Sequence, residues 1–345
     1  MDNLWILVIS VCVSFFTAYL LIPIFIRFMN ATSIVGYDIM KNDNKLVADM
    51  GGPGVIAGLL AGIFTYIGFE VFIQSDGLPD LAFVLASLNT ILVITLIGIF
   101  DSLTSKMKDR EGKDLFERLK RKGIPSWTYF FIPLPAAVPL MAVSAGYHFM
   151  VLPFLGRVDL GIFYPLVVIP LAVLCCSNAT NFLAGFNGLE AGMGFVLNFS
   201  LGIYALIHGK TSAAAIAICF SFALLAFLKY NWYPAKVFPG DLNHTIGAVV
   251  VCVTVLGNME RFAILCFTPW IVEAFLKALS GFKAESFGVL QIDGTLKPKN
   301  NKLRSLTHLI MRLGSFKEWQ VSTILIILEI IICLTSFVTT STLPI

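Results

Sequence analysis

Charge is what this chain has least of. Only 13% of its 345 residues are Asp, Glu, Lys or Arg, whereas 57% are hydrophobic and the mean hydropathy is +0.86. That balance excludes an ordinary soluble globule and equally excludes a disordered chain. Histidine is scarce, with only His148, His208, His244 and His308. The seven cysteines, Cys12, Cys175, Cys176, Cys219, Cys252, Cys266 and Cys333, contain no C-x-x-C pair, which argues against a zinc site or a disulfide framework. All seven fall in apolar runs, where a small buried hydrophobe is the expected role. No Gly-x-Ser-x-Gly, Walker A lysine loop or His-Glu-x-x-His occurs. No basic, aromatic-interleaved soluble segment exists, so nucleic acid is not an expected partner. The opening Met-Asp-Asn leads into an apolar run without a basic n-region or a small-residue cleavage site, so that run reads as a retained span. With no Gly-, Ser- or Pro-rich linker and no internal repeat, residues 1–345 read as a single polytopic domain.

What fills the chain is a series of apolar runs near the ~20 residues that a helix needs to cross a bilayer. About ten are expected, near 4–27, 53–74, 80–100, 128–147, 160–180, 189–208, 212–228, 245–257, 260–279 and 320–340. The basic residues are strongly segregated among the connections. All but Arg157, Lys210 and Arg261 of the 24 Lys and Arg lie in the odd-numbered loops or at their edges. By the positive-inside rule the odd loops, about 29–52, 101–126, 181–188, 229–244 and 280–319, are cytoplasmic. The expected fold is therefore an all-α integral membrane protein with both termini outside and its chemistry at the cytoplasmic face. Basic loops there attract lipid headgroups or anionic substrates.

Three local features stand out in these loops. Lys113 to Lys122 has the pattern of an amphipathic surface helix. Phe287 to Leu296 suggests a hairpin turning at Asp293-Gly294. Leu303 to Phe316 suggests a second surface helix carrying Arg304 and Arg312.

Polar groups at membrane depth are expensive, so those at span ends are candidates for function. Asp101 closes the third span, Asn178 to Glu190 follows the fifth, and Asn231 to Asp241 precedes the eighth. All three reach the same face. Asp101 and Asp241 with an Asn amide oxygen are the hard oxygen ligands that suit Mg²⁺ with substrate phosphates. Gly185, Gly188 and Gly240 would let backbone approach a ligand closely. His244 lies three residues after Asp241. Each feature has a bland reading by itself: helix caps or interhelical hydrogen bonds for the asparagines, an anchor for Asp101, turns for the glycines. Their gathering on one face is the reason to read them as a site.

The stretch Asn178-Ala-Thr-Asn181-Phe-Leu-Ala-Gly-Phe-Asn187-Gly-Leu-Glu-Ala-Gly192 closely resembles the signature of the polyprenyl-phosphate N-acetylhexosamine-1-phosphate transferases. It is most similar to the eukaryotic and archaeal type that starts dolichol-linked oligosaccharide synthesis. Tyr230-Asn-Trp-Tyr-Pro-Ala-Lys-Val-Phe-Pro-Gly-Asp241 resembles a second motif of that branch. Gly36-Tyr-Asp38 to Gly52, with Lys41, resembles its first cytoplasmic loop, and Lys302-Leu-Arg-Ser-Leu306 a stretch of its last. The resemblance implies transfer of N-acetylhexosamine-1-phosphate, foremost GlcNAc-1-phosphate, from a UDP-sugar to dolichyl or polyprenyl phosphate with release of UMP. It implies Mg²⁺, or Mn²⁺ in its place, held by Asn181 and Asp241, with Asp241 also catalytic. Phe238 would stack on uracil, Gly185 and Asn187 would hold the base, Lys41 would join the substrate site, and Asp101 would match the first of the family's paired aspartates. An archaeal plasma membrane is expected over an endoplasmic reticulum membrane, and a homodimer is expected by analogy.

The sequence departs from that pattern at three places. Ser102 stands where the second aspartate of the pair is expected. The basic residue that would contact pyrophosphate falls among Lys120, Arg121 and Lys122, with Lys122 the nominal choice. Lys283-Ala-Glu-Ser286 replaces an Arg-His-Arg cluster expected in the last loop, which leaves the sugar open. Alternatives are a wall-precursor transferase of the same family, a transporter or flippase, and an inactive scaffold. The first would want a His-rich last loop, where only His308 is present; the second would want polar groups at the bilayer midplane.

Overall fold

The computed structural model describes residues 4–41, 45–73, 78–106, 130–143, 148–153, 155–240, 242–299 and 302–342, with only the helical backbone for 101–106. In chain order the elements are α1 (Leu4–Ala31), β1 (Val35–Tyr37), β2 (Leu46–Ala48), α2 (Gly52–Phe72) and α3 (Leu81–Lys106). A 3₁₀ turn at Leu134–Ala137 leads into α4 (Val138–Ala142), followed by β3 (Phe149–Leu152) and β4 (Gly156–Asp159). A wide turn at Tyr164–Val168 opens α5 (Ile169–Phe182), and α6 (Leu189–Ile207), α7 (Thr211–Asn231) and α8 (Leu242–Gly257) follow. The chain ends with α9 (Glu260–Cys266), α10 (Thr268–Ala278), β5 (Gly288–Leu290), β6 (Leu296–Pro298), α11 (Leu306–Leu313) and α12 (Glu318–Thr342). The strands form three antiparallel two-stranded hairpins in the connections.

Among the described residues seven helices are long and apolar enough to cross a membrane: Leu4–Ala31, Gly52–Phe72, Leu81–Phe100, Tyr164–Phe182, Leu189–Ile207, Thr211–Asn231 and Glu318–Ser341. They coincide with seven of the ten expected spans. The eighth span is the shorter α8, of 16 residues. The ninth is two helices, α9 and α10, which meet at Phe267. Within the fourth, the described residues 130–143 form 3₁₀ turns at 130–131 and Leu134–Ala137 and the five-residue α4. The surface helix expected over 113–122 lies outside the described residues. The expected hairpin does turn at Asp293-Gly294, with Gly294 at φ +79°. There the Thr295 N–H and hydroxyl donate to Asp293 Oδ1 at 3.0 and 2.7 Å and hold its carboxyl below the ordinary range. Of the second surface helix, Leu306–Leu313 is helical, started by Ser305, whose Oγ accepts from Thr307 N.

α7 is the hub, packed against α1, α2, α6 and α8. Its buried Ala213, Ala214, Ala215 and Ala217 allow neighbours close, which is how helices pack where no water drives them together. Gly54, Gly58 and Gly62 do the same on α2. A Cβ at Gly58 would stand 2.7 Å from the Ser14 carbonyl oxygen, so this small-residue stripe is spent on contact with α1. α6 and α12 run parallel: Asn187 N meets Glu318 Oε1 at their starts (2.8 Å), and the rings of Tyr204 and Phe337 meet near their ends (5.9 Å).

Two contacts bring the polar motifs to one end of this bundle. α5 lies so close on α8 that a Cβ at Gly247 would stand 2.4 Å from the Cys176 carbonyl oxygen. Thr180 Oγ1 then donates to the Asn243 carbonyl at 2.7 Å, which sets the end of α5 beside the start of α8.

Candidate active site

At that end a cavity of about 500 Å³ opens among the 36–40 segment, the α5–α6 turn, the segment before α8 and the last loop. Asn181, Gly185, Asn187 and Phe238 all line it, so four of the residues expected from sequence meet in one cavity. Lys41 does not line it; its ammonium is held by Asp38, which does, and by Glu318. Asp241 and Lys122 lie outside the described residues, although Gly240 and Asn243 on either side of Asp241 line the cavity. Asp101 lies in α3, and Gly98, one turn before it, faces a small cleft with Pro239 and Leu242.

The α5–α6 turn is gripped from several sides. Gly185 N donates to Glu190 Oε1 (2.6 Å), Asn187 N to Glu318 Oε1 (2.8 Å) and Gly188 N to Asn231 Oδ1 (3.1 Å). Gly185 adopts φ +104°, a conformation open mainly to glycine, and its missing side chain leaves room for the Phe287 ring. Asn231 also donates to the Val237 carbonyl at 2.9 Å, so a single buried amide joins the two motifs. The second motif is in turn stitched to the first loop: Phe238 N donates to the Ala48 carbonyl (2.8 Å) and Gly51 N to the Phe238 carbonyl (2.9 Å). Phe238 is thereby held half-buried at the cavity edge, an aromatic face available to a planar ligand.

The lining is rich in oxygen. Asp38, Asp49, Glu190 and Asn243 contribute, and the buried Glu190 Oε2 and Asn243 Oδ1 have no hydrogen-bond partner among the described residues. Orphaned buried oxygens of this kind suit a hard cation or a ligand donor. No group of three His, Cys, Asp or Glu among the described residues is arranged as a metal centre, so any cation held here would draw on amide oxygens and ligand phosphates as well.

The last loop contributes a wall of the cavity through Ala284, Glu285, Ser286 and Phe287. Beneath it, the buried Lys277 donates to the Ala284 carbonyl (2.8 Å) and Ser286 Oγ (2.7 Å), with Glu273 Oε1 at 3.5 Å. Ser286 Oγ donates to the Phe182 carbonyl at 2.9 Å, next to Asn181. His308 is buried behind this wall; burial, and then the charges of Lys277 and Arg312, keep its imidazole below the ordinary range.

A second cavity, of about 340 Å³, lies among α5, α8, α9 and α10. Its walls are mainly aliphatic and aromatic, apart from a few groups such as Thr254 and the pair of Glu260 and Tyr164 OH, 2.5 Å apart. Ala179 lines it two residues before Asn181 on α5, while the two cavities share no lining residue.

Sequence reading missed Asp38, Glu190, Asn231, Lys277, Ser286 and Glu318 as site groups. Asp38, Glu190 and Asn231 sit inside the motif stretches and were open to notice; Glu318 and Lys277 carry no local signal.

These features define an integral membrane protein with a polar, aromatic-edged ligand pocket at one end of its helices and an apolar cavity beside it. The chain belongs to glycosyl transferase family 4, whose family model matches residues 84–258. A Saccharolobus solfataricus protein is 36% identical over 322 residues, 92% of each chain, and carries the provisional name UDP-N-acetylglucosamine–dolichyl-phosphate N-acetylglucosaminephosphotransferase. A Sulfolobus acidocaldarius protein with the same provisional name is 32% identical over 335 residues, 96% of this chain and 95% of its own. The Dictyostelium discoideum protein that carries the name without that qualification is 26% identical, covering 94% of this chain and 86% of its own.

Proposed function

We propose that the chain transfers GlcNAc-1-phosphate from UDP-GlcNAc to dolichyl or another polyprenyl phosphate, releasing UMP. This would be the first step of lipid-linked oligosaccharide synthesis for N-glycosylation. The observation that carries the reading is the convergence of 181–190 and 231–240 on one polar cavity edged by Phe238, with a separate apolar cavity lined by other residues of α5. A nucleotide sugar needs the first cavity and an isoprenoid tail the second. The names of the relatives support the same substrates.

In this reading an oxygen of the lipid phosphate attacks the β-phosphorus of UDP-GlcNAc, and the bond to the α-phosphate oxygen breaks, so that UMP leaves. Phe238 stacks on uracil, while the clamped turn at Gly185 and Asn187 holds the base edge. Asp101 activates the acceptor phosphate or positions the metal and the lysine, and Lys122 meets the pyrophosphate. Mg²⁺, or Mn²⁺, bound by Asn181 and Asp241 beside the orphan Asn243 Oδ1, would neutralise charge on the pyrophosphate. The site would face the cytoplasm beneath a ten-span topology with both termini outside, in an archaeal plasma membrane. A wall-precursor substrate is disfavoured because the one last-loop histidine, His308, is buried behind the wall.

The test is radiolabel transfer by purified protein from UDP-[³H]GlcNAc to dolichyl phosphate, with Mg²⁺ or with chelator. The expected result is Mg²⁺-dependent labelled lipid that is discharged by added UMP. Product only with another UDP-N-acetylhexosamine would reassign the sugar. Absence of product with every sugar and lipid would leave a scaffold, with Ser102 the first suspect.

A further inference from the structure

Asn187 is held by more charge than a buried amide needs. Its N–H donates to Glu318 Oε1 (2.8 Å), its carbonyl accepts from Ser322 Oγ (3.0 Å), and its Nδ2 donates to Asp38 Oδ2 (3.1 Å). A carboxylate accepts and does not donate, so Asp38 decides which way the carboxamide points: nitrogen inward, Oδ1 away from Asp38. Asp38 and Glu318 are both buried, and Lys41 stands between them as their shared countercharge. Its ammonium is 3.4 Å from Glu318 Oε2 and 4.7 Å from the centre of the Tyr233 ring. Asn187, Glu318, Lys41 and Asp38 thus close a ring around one side chain. Asn187 lines the cavity, and no described residue donates to its Oδ1.

We infer that Lys41, Asp38 and Glu318 are positioning residues that fix Asn187 as a hydrogen-bond acceptor facing the cavity, and so make the site selective for an N–H edge. The inference rests on the proposed nucleotide-sugar function, in which that edge is uracil's N3–H. Cytosine presents a bare acceptor nitrogen at the same position and is turned away by the fixed Oδ1. Lys41 then acts on the substrate through Asn187, while its own donors stay within the protein. Without Lys41 two buried carboxylates repel one another and Asp38 no longer holds the amide nitrogen. The carboxamide is then free to turn over, and the rejection of cytosine is lost with it.

The experiment is calorimetric binding of UMP and of CMP to the full-length protein, purified in nanodiscs with Mg²⁺, as wild type and as Lys41→Met and Lys41→Arg. The expected result is a wild-type preference for UMP that falls about tenfold in Lys41→Met, the effect of one misdirected buried hydrogen bond, and that Lys41→Arg largely restores. Equal weakening of both nucleotides, with the preference intact, would mean a merely structural role and overturn the inference. Should Lys41→Met not yield monodisperse protein, Asp38→Asn is the second probe. Its amide can donate as well as accept, so the same loss of preference is expected and an unchanged preference again refutes the idea. A wild type that binds neither nucleotide would bring down the transferase reading and this one together. A UMP preference that survives in every variant would bring down only the ring.

Discussion

The buried pair under the last loop gives the sharpest stability test. Lys277 and Glu273 are 4% and 0% exposed, with Nζ and Oε1 3.5 Å apart. Glu273 Oε2 also accepts from Leu306 N (2.7 Å) and Ser305 Oγ (3.1 Å), so its position is set by α11 as much as by Lys277. In Lys277→Met that carboxylate keeps its place but loses its cation, and the Ala284 carbonyl and Ser286 lose their donor. Removing one partner of a buried pair costs about 3–5 kcal/mol, most of it from the uncompensated charge left behind. For a chain of this size that is a fall in Tm of about 4–7 °C. The double variant Glu273→Gln/Lys277→Met removes both charges and is expected to recover a large part of the loss. Fluorescence-detected thermal unfolding in detergent reads both. A Lys277→Met protein as stable as wild type, or a double variant no better than the single one, would refute the claim that this pair holds the wall.

Three further outcomes are expected. Phe238→Ala raises the KM for UDP-sugar by about tenfold or more with a smaller change in kcat, since stacking on a base is worth about 1–3 kcal/mol, whereas Phe238→Tyr stays near wild type; steady-state kinetics decide. Gly185→Ala lowers transfer activity by more than about tenfold, because φ +104° strains any side chain and its Cβ would meet the Phe287 ring at 2.3 Å; adding Phe287→Ala relieves the collision but not the strain, so rescue is partial. His308 has its imidazole lowered by burial, so the folded state binds its proton less readily than the unfolded chain. Its contribution is full above a pH of about 6.5 and declines as pH falls below it, giving a drop in Tm on acidification that His308→Gln abolishes.

Much of this protein was legible as local pattern. Seven apolar runs became seven membrane-length helices, and Asp293-Gly294 became the hairpin turn that the dipeptide suggests. Asn181 and Gly185 were marked as polar or small residues at a span end, Asn187 and Phe238 were marked by the motif resemblance, and all four line one cavity. The same local logic gave no warning that the ninth run would break at Phe267 into two helices, since a hydropathy window averages over such a break. Nor did it show that Gly54, Gly58 and Gly62 serve contact with α1, because a small-residue stripe does not name its partner.

The division follows from range. Hydropathy, charge segregation and turn chemistry are sums over neighbours in the chain, and so the membrane character, seven of the span positions and the motif stretches were legible in the sequence alone. The pairings that shape the site are between residues far apart: Asn187 with Glu318 across 131 positions, Asn187 with Asp38 across 149, and Glu273 with Leu306 across 33. Lys41 is placed in the substrate site by the motif resemblance, and in the fold its ammonium is the countercharge of Asp38 and Glu318. Which buried charge meets which depends on the path of the backbone and on helix packing, because a carboxylate excluded from water must find its partner in space.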